Sequence, residues 1–571
     1  MSNHRALRGA LLAACALLLH AAPAAAINGG VTKDSAPKKS LEPATYPDMT
    51  TYSCRTDAVP IHPGQNINDF GLTKVCPNAA TVSGPGDPGI FANGSTAEGY
   101  ITRFRPSMVE IKPNGKLVTP SVWDLHLHHV VWLTESGPTF ASGEEKTIAT
   151  LPQGYGMKTK ATADWGINQM IHNLNASGGR QIYITWEIDW VPETSPKRTD
   201  IANSELHWLD VAGAPQIYPV FDAEKGFDTN DDNKFVFPDE ATDPRTAGYE
   251  ENENISQERV WTIPRSGATL IFGAGHLHPG GLSVDLMVSR DGPDAGAVDG
   301  DDPAETKDIF RSDARYFEPA GAVSWDVAME ATRRDWRISL EPGDTVSINT
   351  TYNVKKASWY ESMGILPLAW SRAEDPLARD PFTQAAEVQA MYERGGRLTH
   401  QRLDENIDYK ARKNLKLADP RDLRAAGPVP AEGIGIRSFY YLNGGFTATK
   451  LFPSSQMRPP TVSSGETVTF TNQDALPGTP MTEQAWHSIT SCRAPCNKGS
   501  GIGYPLAGGP IKFDSGQLGY GTFASAGVTT QSNTYTTPPL TTSPTAGENG
   551  TTYTYFCRIH PSMRGSIRVK K

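Results

Sequence analysis

The C-terminal stretch TYTYFCRIHPSMRGSIRVKK sets Cys557, His560 and Met563 in a C-x2-H-x2-M spacing on what reads as a tight loop between two strands. Upstream, GETVTFTNQDALPGTPMTEQAWHSIT brings Asn472 and His487 to where a further ligand would arrive. A soft thiolate stabilises Cu(I), imidazole suits both oxidation states, and a weak axial thioether completes a trigonal site with two imidazoles. The chemistry such a set performs is one-electron transfer at a type 1 copper, with His487, Cys557, His560 and Met563 as ligands. The C-x-x-C-H box of covalently attached haem is absent.

A second group of residues lies in the middle of the chain. Of thirteen histidines, five fall in two short strings. SVWDLHLHHVVWL holds His126, His128 and His129, and LIFGAGHLHPGGLSVDL holds His276 and His278. Residues two apart in a strand face the same way, so His276 and His278 can grip one metal. His126 and His128 can do the same, while His129 points to the opposite face unless the strand bulges. Imidazole is the commonest ligand for copper and zinc, and a metal is the expected occupant of both strings.

The cysteines point to the compartment. Residues 1–26 place Arg5 and Arg8 before an apolar run and small residues at Ala24 and Ala26, the layout of a cleaved secretory signal. The expected location is extracellular or periplasmic, and a lipoprotein-type box ending at Cys15 is the rival reading. Of the six cysteines, Cys15 leaves with the signal, Cys54 and Cys76 form one local disulfide, and Cys492 and Cys496 form another. Cys557 is left over, as a metal ligand should be. A balance of 53 Lys plus Arg against 63 Asp plus Glu gives a net charge of -10, which argues against a nucleic-acid partner. No later segment is long and apolar enough for a transmembrane helix.

The elements that must position these residues are strands. From 96 to 372, runs such as ITRFRPSMVEI, QIYITWEIDWV and LSVDLMVS alternate with turn clusters such as KPNG, NASGG and EPGD, which reads as sandwiches. The expected order is an irregular, disulfide-stapled extension at 27–95, a first β-sandwich at 96–205 and a second at 206–372. A partly helical linker follows at 373–432, then a third β domain at 433–571. The fold class is all-β.

Two resemblances sharpen this reading. The C-x2-H-x2-M loop, with Pro561 after the histidine and upstream Asn472 and His487, resembles the cupredoxins, most closely the amicyanin and plastocyanin group. That implies a Greek-key β-sandwich carrying type 1 copper. The central order of His-His, a lone His, H-x-H and Met resembles the copper type II, ascorbate-dependent monooxygenases of the peptidylglycine α-hydroxylating kind. That resemblance implies two jelly-roll-like sandwiches with one copper each: one on His128, His129 and His172, the other on His276, His278 and Met363. Met329 is a rival thioether. The strings are also similar to the stress-upregulated nodulin family. Where the peptide-hydroxylating enzymes carry a substrate-binding Arg and Asn, this chain has Ala274 and Ile365.

Two functions follow. In one, the cupredoxin domain relays electrons to a copper monooxygenase-like region that hydroxylates an unknown small molecule. In the other, the chain is a non-catalytic copper-binding and electron-transfer protein. Either way it meets an electron donor or acceptor whose identity the residues do not specify.

Overall fold

The computed structural model describes residues 45–571 apart from 62–65, 121–124, 174–178, 212–220, 224–233, 239–259, 292–304, 317–326, 355–358, 384–391, 394–426, 438–439, 446–457, 480–483, 485, 493–511, 517, 521–529 and 558–562. The signal-type segment and about two thirds of the expected linker therefore lie outside the described residues. The fold is all-β, built from pairs of facing sheets.

A nine-stranded sheet runs through Tyr155–Lys160, Glu98–Ile111, Arg180–Pro192, Thr50–Arg55 and Ala80–Ser83. It faces a four-stranded sheet ordered Asn66–Lys74, Asp164–Asn173, Leu125–Thr134 and Gly137–Ser142. Side chains alternate along Glu98–Ile111, so Phe104 and Met108 point inward while Arg103 and Arg105 lie towards the other face. Between the sheets Phe104 stacks on Phe140 and meets Trp132 edge-on, and Trp132 meets Trp186. Such aromatic pairs add about 0.5–1.5 kcal/mol each beyond the area they bury.

Part of the stretch expected as an irregular extension belongs to this sandwich. Thr50–Arg55 pairs along Arg180–Pro192, and Asn66–Lys74 pairs with Asp164 through His172. The Cys54 to Cys76 disulfide is present and both residues are buried in the core. Turn-forming residues hid these strands, whose pairing is set by partners about 90 to 140 residues away.

A second pair of sheets comprises Glu205–Asp210, Gly364–Ser371, Ala268–Gly273 and Ile338–Leu340 on one side, with His276–Leu277 added on Gly364–Ser371. Lys234–Phe237, Thr345–Asn353, Gly281–Arg290, Glu305–Tyr316 and Val327–Met329 form the other side. A third pair closes the chain: Ile434–Arg437 and Thr469–Asn472 lie parallel in one sheet, and Thr461–Ser463 lies parallel to Arg564–Lys570 in the other. Tyr441, Phe470 and Tyr555 pack edge to face in its core.

The three units are packed together. Leu151 and Tyr155 of the first join Phe272, Ala274 and Ala331 of the second in one apolar cluster. A fully buried pair, Arg337 with Asp375 at 2.7 Å, receives the Tyr155 hydroxyl at 3.1 Å. Met170 of the first unit and Met363 and Ile365 of the second belong to the core of the third. No helix among the described residues is long and apolar enough to cross a membrane.

Candidate metal centres

At the chain end, Cys557 follows the strand Thr551–Phe556, Met563 precedes Arg564–Lys570, and the Cys557 N–H donates to the Met563 carbonyl at 3.1 Å. This bond closes the loop and holds both sulfur side chains in the same apolar core. The Cys557 sulfur accepts from the Ser488 N–H at 3.3 Å, and His487 lies within hydrogen-bonding reach of it. Burial acts to lower the His487 pKa, but the bonds to Asp474 and Cys557 outweigh it and raise the value. The Asp474 carboxylate accepts from His487 Nε2 at 3.0 Å. His487, Cys557 and Met563 are thus brought together, and His560 lies outside the described residues.

Asn472 braces this site from behind. Its Nδ2 donates to Leu518 O at 2.9 Å and its Oδ1 accepts from the Asp474 N–H at 3.0 Å, which positions the carboxylate that holds His487. Cys492 is disulfide-bonded, and its expected partner Cys496 lies outside the described residues.

The central strings, expected to serve separate coppers, meet between the first two units. Along Leu125–Thr134, Met170 pairs with His129 and Ile171 with Leu127, so His128 is the extra residue of a β-bulge. A bulge turns consecutive side chains toward one side. The Nδ1 atoms of His128 and His129 accordingly come within 3.3 Å. The His128 ring meets His278 edge to face at 4.5 Å between centroids, and His278 meets His276 at 5.4 Å. All four imidazoles are buried.

Two neighbours orient this cluster, and neither was legible in the histidine pattern. Asn168 Oδ1 accepts from His129 Nε2 at 2.8 Å, which leaves Nδ1 as the lone-pair nitrogen on the His128 side. Glu145 Oε1 accepts from His276 Nδ1 at 3.1 Å and from the Gly143 N–H at 2.6 Å. Burial pushes the Glu145 pKa up, but His276 and the Gly143 amide outweigh it and hold the carboxyl below its usual range. His276 Nε2 is buried with no hydrogen-bond partner among the described residues. Gly143 has to be glycine, since a Cβ there would stand 2.8 Å from the His276 ring.

Imidazole nitrogen is a donor that copper and zinc both take. Two nitrogens bound tetrahedrally at about 2.0–2.1 Å stand about 3.3 Å apart, the spacing of the His128 and His129 Nδ1 atoms. A carboxylate on the far nitrogen of a metal-bound imidazole is the usual support for such a ligand. Among the described residues no three His, Cys, Asp or Glu side chains are grouped so that they could hold a metal ion.

The remaining expected ligands fall differently. The His172 backbone pairs with His126, and the side chains of both lie outside the described residues. Met363 is tied to the cluster through its backbone. The Tyr352 hydroxyl accepts from the N–H groups of His278 and Met363, each at 3.1 Å, and donates to the Met363 carbonyl at 2.6 Å. The Met363 side chain packs in the core of the third unit, while Met329 packs in the second and approaches Gly275.

No protein-family model matches the chain, and no curated protein matches it in sequence. Solved structures give distant likenesses. N-glycanase F (PNGase F) aligns over 57% of this chain and 96% of its own, at 10% identity and a TM-score of 0.26. The Cu-containing nitrite reductase (NirK) from Thermus scotoductus SA-01 aligns over 53% and 55%, at 15% identity and a TM-score of 0.13. A structure of infectious bursal disease virus, Gx strain, aligns over 67% and 93%, at 11% identity and a TM-score of 0.16. At these scores the likeness extends to no site.

Proposed function

We propose that this chain is an exported copper redox protein in which a type 1 site at His487, Cys557, His560 and Met563 exchanges electrons with a second metal centre. That second centre is held by His128, His129, His276 and His278 together. The meeting of His128 with His278 carries the reading, because it joins two strings 150 residues apart in one buried, imidazole-lined place. Copper bound at both places would supply two one-electron couples within one chain.

The residues around the two centres support exchange between them. Met170 stands directly across the ladder from His129, and Ile365 directly across from His276. Both Met170 and Ile365 pack in the apolar core that contains Cys557 and Met563. Opposed residues on neighbouring strands lie within about 4.5–5.5 Å, so an apolar residue beside His129 and another beside His276 share a core with Cys557. The Ser488 amide and Asp474 fix the sulfur and imidazole at one end. Asn168 and Glu145 fix imidazoles at the other. Export is supported by the signal-type N-terminus and by the Cys54 to Cys76 disulfide, which persists in oxidising compartments.

Metal analysis with EPR on the copper-loaded full chain tests this. The expected result is two copper signals, one with an intense thiolate charge-transfer band that Cys557→Ser abolishes and one that His278→Ala abolishes. Rapid mixing with a reductant should then show Cys557→Ser slowing reduction of the remaining copper. A single copper per chain, or an unchanged rate in Cys557→Ser, removes the reading.

A further inference from the structure

Arg564 is a buried charge with nothing to balance it. It is 6% exposed, and its Nε and Nη1 have no hydrogen-bond partner among the described residues. Burial alone acts on its pKa, lowering it to about 10, with no carboxylate close enough to oppose the shift. The guanidinium therefore stays protonated at neutral pH. Arg337, also buried, is instead paired with Asp375 at 2.7 Å. A buried charge without a partner is costly, and one that a protein keeps asks for a role.

Its place in the fold suggests the role. Arg564 opens the last strand directly after Met563, and it stands across the ladder from Phe556, which directly precedes Cys557. The bond from the Cys557 N–H to the Met563 carbonyl at 3.1 Å ties the two chain segments together at that point. Ile567 and Val569, at odd spacings from Arg564, point into the core that holds Cys557 and Met563. By alternation Arg564 leaves the strand on the opposite face. Phe556 leaves on that face too and packs in the core of the second unit. The Arg564 side chain thus starts beside the C-terminal ligands, on the side turned towards the second unit.

We propose that Arg564 sets the reduction potential of the C-terminal centre: as an unpaired, buried cation it favours Cu(I) over Cu(II) and so favours residence of the electron there. The proposal rests on the type 1 reading of His487, Cys557, His560 and Met563. Reduction adds one negative charge to the site, and a fixed cation stabilises that charge more strongly where little water screens it. A carboxylate paired with Arg564 would cancel most of this field, which is why the missing partner matters. The role is one of tuning: Arg564 holds no metal and moves no proton. Asp474, bonded to His487 at 3.0 Å, acts on the same centre with the opposite sign.

Two neutral replacements in the full chain test this. Arg564→Met keeps an apolar stem, Arg564→Gln keeps hydrogen-bond donors, and both remove the charge. Potentiometric titration of the thiolate charge-transfer band in the copper-loaded proteins should show both shifted on the order of tenfold towards Cu(II) at a given applied potential, a fall of about 59 mV for one electron. A potential that stays put or rises with the band intact overturns the inference, and so does a fall in only one variant, which would trace the effect to shape. Urea unfolding of the metal-free chain gives a second reading. Arg564→Met should be at least as stable as the parent, because it no longer buries a lone charge. A clearly less stable variant would mean that the guanidinium has a stabilising partner, and overturns the inference as well. A parent chain that forms no charge-transfer band with copper removes the type 1 reading and the inference with it, whereas a band with unshifted potentials removes the inference alone.

Discussion

His128 and His278 meet edge to face at 4.5 Å although they belong to different sandwiches and different sequence strings. The contact depends on the bulge at His128, which turns that ring and His129 to the same side, and on the break between Ala268–Gly273 and His276–Leu277.

One shared centre has a stoichiometric signature. His128→Ala and His278→Ala should each remove the same metal, and the double variant should remove no more than either alone, because residues of one site are not additive. Titration with copper followed by metal analysis reads this directly. Losses that add to two metals per chain would restore two separate sites and sink the shared one.

The strand content, the Cys54 to Cys76 pairing and the condition that His129 faces its neighbours only through a bulge were all legible from residue spacing. Period-two alternation and ligand spacing are local properties, and a sequence displays them. Glu145 was not legible, because SGEEKT is polar and reads as a surface turn. In the fold that loop is closed in between two units, with Glu144 accepting from Lys146 at 2.6 Å and from the Leu127 N–H at 2.8 Å. Burial of that kind is decided by how whole sandwiches pack, which no window of sequence encodes. The strands at 50–83 were hidden for the same reason.

Tyr352 should matter for stability as well as for the centre. Its hydroxyl is the acceptor for two buried N–H groups and the donor to one carbonyl, joining His278 to Met363. Tyr352→Phe keeps the ring and strands those groups, so a loss of about 1–3 kcal/mol is expected. Urea unfolding of the metal-free chain measures it, read from the transition of the second sandwich. A variant as stable as the parent would show that water replaces the hydroxyl.

Acid sensitivity should come in part from His207. Its ring stacks on Trp261 at 4.3 Å, and burial lowers its pKa to about 4. The unfolded chain, with a value of about 6.5, binds the proton more readily. The stabilising contribution is therefore complete above about pH 6.5 and drains away as the pH falls towards 4. His207→Phe keeps the stack and removes the titration, so its denaturation midpoint should fall less between pH 7 and pH 5 than that of the parent. Equal falls would place the acid sensitivity elsewhere.

Asp474 bears on the redox behaviour of the C-terminal centre. Its carboxylate accepts from His487 Nε2 at 3.0 Å, and the same ring interacts with Cys557. A carboxylate in that place makes the imidazole a stronger donor and adds negative charge beside the metal. Both effects favour the more highly charged Cu(II). Asp474→Asn keeps a hydrogen-bond acceptor of nearly the same shape but removes the charge, so Cu(I) gains and the reduction potential should rise. The charge-transfer band should survive, because the thiolate still accepts from the Ser488 N–H. Potentiometric titration of that band in both proteins measures the shift. A potential that stays put or falls would mean that His487 is not a ligand of the metal that binds Cys557.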